Sequence, residues 1–375
     1  MNSQSNELSI YIHWPFCKTK CPYCDFNSHE NDYIEHDSWK KSYLNEIELN
    51  KDLIKNKKIR SIFFGGGTPS LMKPNTVDSI INKISSITDF SNNIEITLEA
   101  NPNSVDRERF RDFKSCGINR VSIGIQSIRD NNLKFLGRSH SQYDALKAIE
   151  FAREIFDNYS FDLMYCLPGQ QINEWESELN EVLKYVDYHI SCYQLTIEKS
   201  TKFFNALRAE EFQMPNEEIS IAMYKATYDI LKLREIKQYE ISNYSRAGYE
   251  CKHNLSYWEL GSYIGLGPGA HGRYIFDNKI YYTINYYNPQ KWLKYVDTYK
   301  FPIQDKKEIS NKQNMMDVLT MGLRLNKGIH ASAITNLKSM NDLITKGFLV
   351  KGKNNYIKST IKGRLVLNTI IQMLI

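Results

Sequence analysis

Six times between residues 8 and 195, a short β-branched or aromatic run is followed by an amphipathic stretch. The runs are LSIYI (8–12), RSIFF (60–64), IEITL (94–98), VSIGI (121–125), FDLMY (161–165) and HISCYQL (189–195). Between them apolar residues recur every three or four positions, the period of a helix with one buried face. Trp39, Tyr43, Ile47 and Ile54 form one such face, and Val77, Ile80, Ile81, Ile84 and Ile87 another. Phe110 with Phe113, Leu146 with Ile149 and Ile155, and Trp175 with Leu179 and Val182 continue the series, and a long helix is expected near 217–234. Consecutive βα units force a parallel sheet with right-handed crossovers. The expected class is α/β, and a partial TIM-like (β/α)6 barrel is the natural closure. A doubly wound open sheet is the alternative. In either, chemistry belongs at the carboxyl ends of the strands.

Those ends carry the polar and glycine motifs: a cysteine loop after 8–12, GGGTPS after 60–64, EANP after 94–98, Gln126 after 121–125 and LPGQ after 161–165. From about 236 the pattern changes. Residues 239–300 are rich in Tyr, Asn and Gly and show no helix period. A helix through Met315, Val318, Leu319 and Leu323 opens the last part, GFLVKGKNNYIKST reads as a hairpin around Lys353–Asn355, and a helix runs through Leu365, Leu367, Ile370 and Ile371. This suggests a small winged-helix-like α+β domain. The expected organisation is a barrel over 1–235, a connecting segment over 236–305 and a C-terminal domain over 306–375.

The cysteine loop is FCKTKCPYCDF, with Cys17, Cys21 and Cys24 at C-x₃-C-x₂-C spacing. Seven cysteines in all make no disulfide framework. The N-terminus lacks a basic and then apolar leader, and no segment has the roughly 18 to 20 apolar residues that span a bilayer. A cytoplasmic location follows as the expectation, and there a tight cysteine group is a metal or redox site rather than a disulfide. Zinc in a structural site takes four closed ligands, usually as two pairs. No second pair exists here, although His29 is a candidate fourth ligand. A 4Fe-4S cluster normally takes four cysteines, so three would leave one iron open to a small molecule. Cys116, Cys166, Cys192 and Cys251 read as small buried hydrophobes. The net charge of +5 is mild for 375 residues. Lys346, Lys351, Lys353, Lys358 and Lys362 are too sparse for a phosphate-binding patch and read as a solvated face, so no nucleic-acid partner is expected.

The cysteine spacing, with Tyr23 before the last thiol, resembles the signature of radical S-adenosylmethionine (SAM) enzymes. The resemblance implies that SAM chelates the open iron of a 4Fe-4S cluster held by Cys17, Cys21 and Cys24. Taken together, YIHWPFCKTKCPYCDFNSH, FFGGGTPS, LEANP, GINRVSIGIQS, LPGQ, HNLSYW, GLGPGAHG and TIKGRLVLN resemble the HemN/HemW group across nearly the whole chain. Carried over by position, the SAM-binding residues would be Tyr11, Tyr23, Gly66, Gly67, Thr68, Glu99, Gln126, Arg138 and Asp162.

That group holds oxygen-independent coproporphyrinogen III dehydrogenases and a heme-chaperone branch. The dehydrogenases resemble C-x₃-C-x₂-C-x-C, and here Phe26 stands at the fourth position. They also carry an N-terminal extension, expected to be absent here because the first strand starts near Leu8. HNLSYW (253–258) matches the chaperone branch. The expected function is therefore binding heme and passing it to apo-hemoproteins, at the membrane and from a homodimer, with dehydrogenase chemistry as the alternative. His253, Tyr257 and Trp258 are the expected heme-handling residues, with His271 of GPGAHG a second candidate. One departure stands out: Cys166 occupies a position of LPGQ-type motifs where glycine is usual.

Overall fold

Every expected strand is present in the computed structural model, which describes residues 6–31 and 33–375. They are β1 (Glu7–Trp14), β2 (Lys58–Gly66), β3 (Phe90–Ala100), β4 (Arg120–Gln126), β5 (Asn158–Tyr165) and β6 (His189–Gln194). They lie in chain order and parallel, with Ile10 beside Ile62, Ile62 beside Ile96, Leu98 beside Val121, Ile123 beside Phe161 and Leu163 beside Cys192. These side chains are buried. A parallel sheet covered on both faces needs such continuous apolar runs.

The connecting helices are α1 (His36–Leu49), α2 (Pro74–Ser85), α3 (Arg107–Ser115), α4 (Gln142–Ile155), α5 (Ile172–Val182) and α6 (Glu217–Leu233). Their starts are chemically marked. Pro74 opens α2, Asp106 accepts from the Arg109 amide, and Ser141 forms a capping box with Asp144. Ile54 departs from the expected face of α1, because the chain breaks at Asn50 and restarts as the short helix Lys51–Ile54. Helices α1 to α4 pack each on the next, and α5 packs on α6. This is the single outer layer of a barrel, whereas a doubly wound sheet divides its helices between two faces.

The segment after 236 is more structured than its composition suggests. Strand β7 (Asn243–Ser245) runs antiparallel to β6, helix α7 spans Lys252–Trp258, and β8 (Tyr263–Leu266) lies parallel to β1 with Ile264 beside Ile10. Strands β9 (His271–Phe276), β10 (Lys279–Asn285) and β11 (Ile303–Glu308) extend the sheet antiparallel, and α8 (Pro289–Asp297) packs on α1. Helices of seven and nine residues are too short to establish a period. The sheet runs from β11 to a two-residue strand at Lys237–Gln238 and does not close, so the barrel is partial.

Beyond it, α9 (Asn311–Gly322), α10 (Leu337–Thr345) and α11 (Leu367–Leu374) gather around strands β12 (Leu349–Lys351) and β13 (Tyr356–Ser359), with Ile329–His330 as a third strand. Leu323, Ile329, Leu343, Leu349, Ile357 and Ile370 form a core of their own there. The expected hairpin turns through Asn354 and Asn355 at φ 52° and 60°. Asparagine tolerates that left-handed backbone.

Candidate functional site

The carboxyl ends of β1 to β6 surround a cavity of about 390 Å3. Cys17, Cys21 and Cys24 all line it. Each thiol has a polar neighbour: Thr68 Oγ1 donates to Cys17 Sγ at 3.2 Å, Arg138 Nη1 to Cys21 Sγ at 3.4 Å, and Cys24 Sγ lies 3.8 Å from Ser28 Oγ. Burial pushes the Cys17 and Cys24 thiols up, against the hydrogen bonds they receive. A nearby metal would have to supply the charge that favours thiolates. Among the described residues no three Cys, His, Asp or Glu side chains converge on a single-ion site. His29 is exposed, with Nε2 on Asn27 Oδ1 at 3.1 Å, and does not complete a zinc set.

The glycine motif forms the wall next to the cysteine loop. Gly67 N donates to Trp14 O at 2.7 Å and Thr68 N to Phe16 O at 2.8 Å, which pins the turn after β2 to the start of the cysteine loop. Space is so tight that a Cβ on Gly66 would fall 2.5 Å from the His13 ring, and one on Gly67 2.7 Å from Phe16 O. Gly66 also has φ 110°, a conformation glycine adopts freely.

Tyr23, Gly66, Gly67, Thr68, Glu99, Gln126, Arg138 and Asp162 line the same cavity as the thiols. Tyr11 does not; it lines two adjoining cavities, with its hydroxyl 3.0 Å from His13 Nδ1. It faces the same barrel interior, since one of those cavities is also lined by Glu99, Ser122, Asp162 and Tyr193. Gln126 Oε1 and Arg138 Nε are buried without a hydrogen-bond partner among the described residues. Both residues line the cavity, so these unpartnered atoms lie beside it. Burial, then the neighbouring Asp162, raises the Glu99 carboxyl to about 8 despite the Gly66 amide donating to it at 3.2 Å. Burial also raises Asp162 to about 6, opposed by Ser191, Arg120 and Ser122. Tyr193 was not among the expected residues, yet it lines this cavity and the two beside it. Its signal was available: it sits at the carboxyl end of the sixth strand, where the barrel rule places chemistry.

A second cavity of about 770 Å3 shares Phe26, Gly66, Glu99 and Tyr193 with the first. Tyr257, Trp258 and His271 line it. His253 does not reach it. Its ring is buried against Phe63, 4.9 Å between centroids, with Nδ1 2.9 Å from Ser61 Oγ and Nε2 2.7 Å from Tyr257 OH. Burial holds it neutral, lowered to about 3. Both nitrogens are occupied, and the ring stands behind Tyr257.

The chain from 11 to 182 matches the model of the radical SAM superfamily. The heme chaperone HemW of Buchnera aphidicola subsp. Acyrthosiphon pisum is 37% identical over 385 residues, covering 98% of each chain. This chain is a member of the HemW family of radical SAM proteins. The mitochondrial radical S-adenosyl methionine domain-containing protein 1 of Danio rerio is 37% identical over 332 residues, 87% of this chain and 75% of that protein. In fold, the chain matches the coproporphyrinogen III oxidase HemN of Escherichia coli with a TM-score of 0.82 at 19% identity, covering 99% of this chain and 90% of that one.

Membership of the superfamily implies a 4Fe-4S cluster and SAM. The cavity fits both: three thiols on one loop, a stretch of wall made of glycine backbone, and two lining residues with unpartnered polar atoms. The one departure within the HemW-like motifs also has an account. Cys166 has φ 60°, which explains why glycine suits the position. Its thiol is fully buried 3.7 Å from Met223 Sδ and does not line the cavity. A short helix, Lys202–Arg208, covers the far side of the cysteine loop, with Phe203 N donating to Pro22 O at 3.0 Å.

Proposed function

We propose that this protein is a heme chaperone that binds heme and passes it to apo-hemoproteins. Cys17, Cys21 and Cys24 hold the 4Fe-4S cluster, and the fourth iron is left for SAM. When bound, this pair supplies one-electron chemistry or a regulatory state of the cavity. Gly66, Gly67 and Glu99 receive the amino-acid end of SAM, the glycines by close backbone approach and Glu99 as an acceptor. Gln126 Oε1 and Arg138 Nε find in it the partners they lack within the chain. Asp162 and Thr68 complete the wall. Arg138 and Thr68 also steady the thiols through their contacts with Cys21 and Cys17.

The observation that carries the reading is the likeness over nearly the full length to proteins named heme chaperones, combined with Phe26 where the dehydrogenases have a further cysteine. The aromatic second cavity adjoining the cysteine cavity is in keeping with a flat apolar cargo. The cytoplasm, a homodimeric state and recipients at the membrane belong to the same proposal, and no nucleic-acid partner does. Among the described residues no helix is long and apolar enough to cross a membrane.

The test uses the cluster-reconstituted chain. Addition of heme should give a stoichiometric complex read from its Soret band. In parallel, SAM, a reductant and coproporphyrinogen III are supplied anaerobically. Multiple turnovers to protoporphyrinogen would overturn the chaperone reading in favour of the dehydrogenase.

A further inference from the structure

Among the described residues, three imidazoles stand at or behind the second cavity: His13, His253 and His271. Iron needs an imidazole nitrogen with a free lone pair. His13 has none to give, since Nδ1 meets Tyr11 OH at 3.0 Å and Nε2 meets Asn27 O at 2.9 Å. His253 is engaged at both nitrogens, as described. His271 differs. It is exposed at the start of β9 and lines the cavity. Its one ring contact is to Tyr287 OH, 3.3 Å from Nε2, longer than most such bonds. Nδ1 has no partner among the described residues.

The surroundings suit a planar iron macrocycle. Trp258 and Tyr287 line the same cavity, and Phe26, 60% exposed, stands on the side shared with the cysteine cavity. A volume of about 770 Å3 falls in the range of roughly 300–1,000 Å3 typical of small-molecule sites. The segment is also anchored: Asn27 Nδ2 donates to Pro268 O and to Tyr287 O, both at 3.0 Å, tying the cysteine loop to the chain on either side of His271.

We propose that His271, and not His253, is the protein ligand to the iron of bound heme, with Tyr287 orienting its ring. The assignment rests on the chaperone reading above. A metal-ligating imidazole is commonly held by a hydrogen bond on its second nitrogen, which is the role left to Tyr287. Burial lowers the His271 pKa, so the ring is neutral and able to ligate at neutral pH.

The experiment titrates ferric heme into the reconstituted full chain and into His271→Ala and His253→Gln, following the Soret band and the electron paramagnetic resonance of the iron. His271→Ala should lose the imidazole signature and weaken heme binding about tenfold or more. His253→Gln should keep the wild-type spectrum, and free imidazole should restore it to His271→Gly. An unchanged spectrum and affinity in His271→Ala, while wild type binds heme, overturns this assignment and leaves the chaperone reading intact. Absence of a stoichiometric complex with wild type overturns both.

Discussion

Arg138 Nη1 lies 3.4 Å from Cys21 Sγ, while its Nη2 donates to Gly124 O at 2.7 Å. One guanidinium therefore joins the cysteine loop to the end of β4. A fork of fixed geometry can hold both partners, and a lysine can hold one. Arg138→Lys should lower the iron retained per chain after anaerobic desalting, by the loss of a charge-assisted contact worth about 1.5–3 kcal/mol. Cys21→Ser should abolish the visible iron–sulfur absorbance outright. Full retention of that absorbance in Cys21→Ser would refute the ligand assignment.

Gly66 makes the sharpest steric prediction. A Cβ there meets the His13 ring and must adopt φ 110°. Gly66→Ala should destabilise the protein by about 1–3 kcal/mol in urea unfolding. SAM binding should fall further than stability does, because Gly66 itself lines the cavity and its backbone must shift away from the His13 ring. Wild-type SAM affinity in a folded Gly66→Ala variant would remove this glycine from the site.

The Glu99 carboxyl predicts a pH dependence with a definite sign. Burial and then Asp162 raise it to about 8, so in the ligand-free protein it is protonated at neutral pH. Accepting from an ammonium requires the anion. SAM affinity should therefore rise as pH rises toward 8, and the slope should vanish in Glu99→Gln. Stability runs the other way: a carboxyl raised on folding binds its proton more tightly in the native state, so its contribution is lost as pH climbs from the unfolded value toward 8. Isothermal titration and urea unfolding at pH 6, 7 and 8 on both proteins would separate the two effects.

Cys166 gives a prediction of near silence. Restoring glycine relieves a left-handed backbone that costs roughly 1–2 kcal/mol for other residues. It also removes a buried thiol and frees the unfolded chain, the latter worth about 0.5–1 kcal/mol. Cys166→Gly should change stability by less than about 1 kcal/mol and leave SAM binding unaltered. A large loss of SAM binding would mean that the thiol reaches the cavity after all.

The strands and helices of the barrel were legible because burial imposes a period, and a period survives in sequence. What a period does not carry is the identity of a neighbour. Strand β8 has four residues and its partner β1 lies at the other end of the barrel segment, so nothing local announced the pairing. Tyr11 shows a related limit: a motif position names a residue but not its depth in the barrel, and Tyr11 lines the cavities beside the cysteine cavity. His253 is expected from the sequence to handle heme, and the structure buries its ring against Phe63. Its four-residue spacing from Tyr257 was the overlooked sign, because that interval stacks two side chains on one helical face. The convergence of Cys17, Cys21 and Cys24 on one cavity was legible because the three lie within eight consecutive residues.

The placement of β8 has a consequence for biogenesis. As the chain leaves the ribosome, β1 has one neighbour as soon as β2 is made, but its other edge stays bare until Tyr263–Leu266 emerges. Contacts between residues so far apart in sequence close late and slowly. The cysteine loop hangs directly from that half-paired strand. If the loop takes the proposed cluster, insertion into a firmly held loop would wait until translation is well past the barrel, and a nascent chain truncated before residue 263 would offer its thiols on an unfinished edge prone to pairing with other chains.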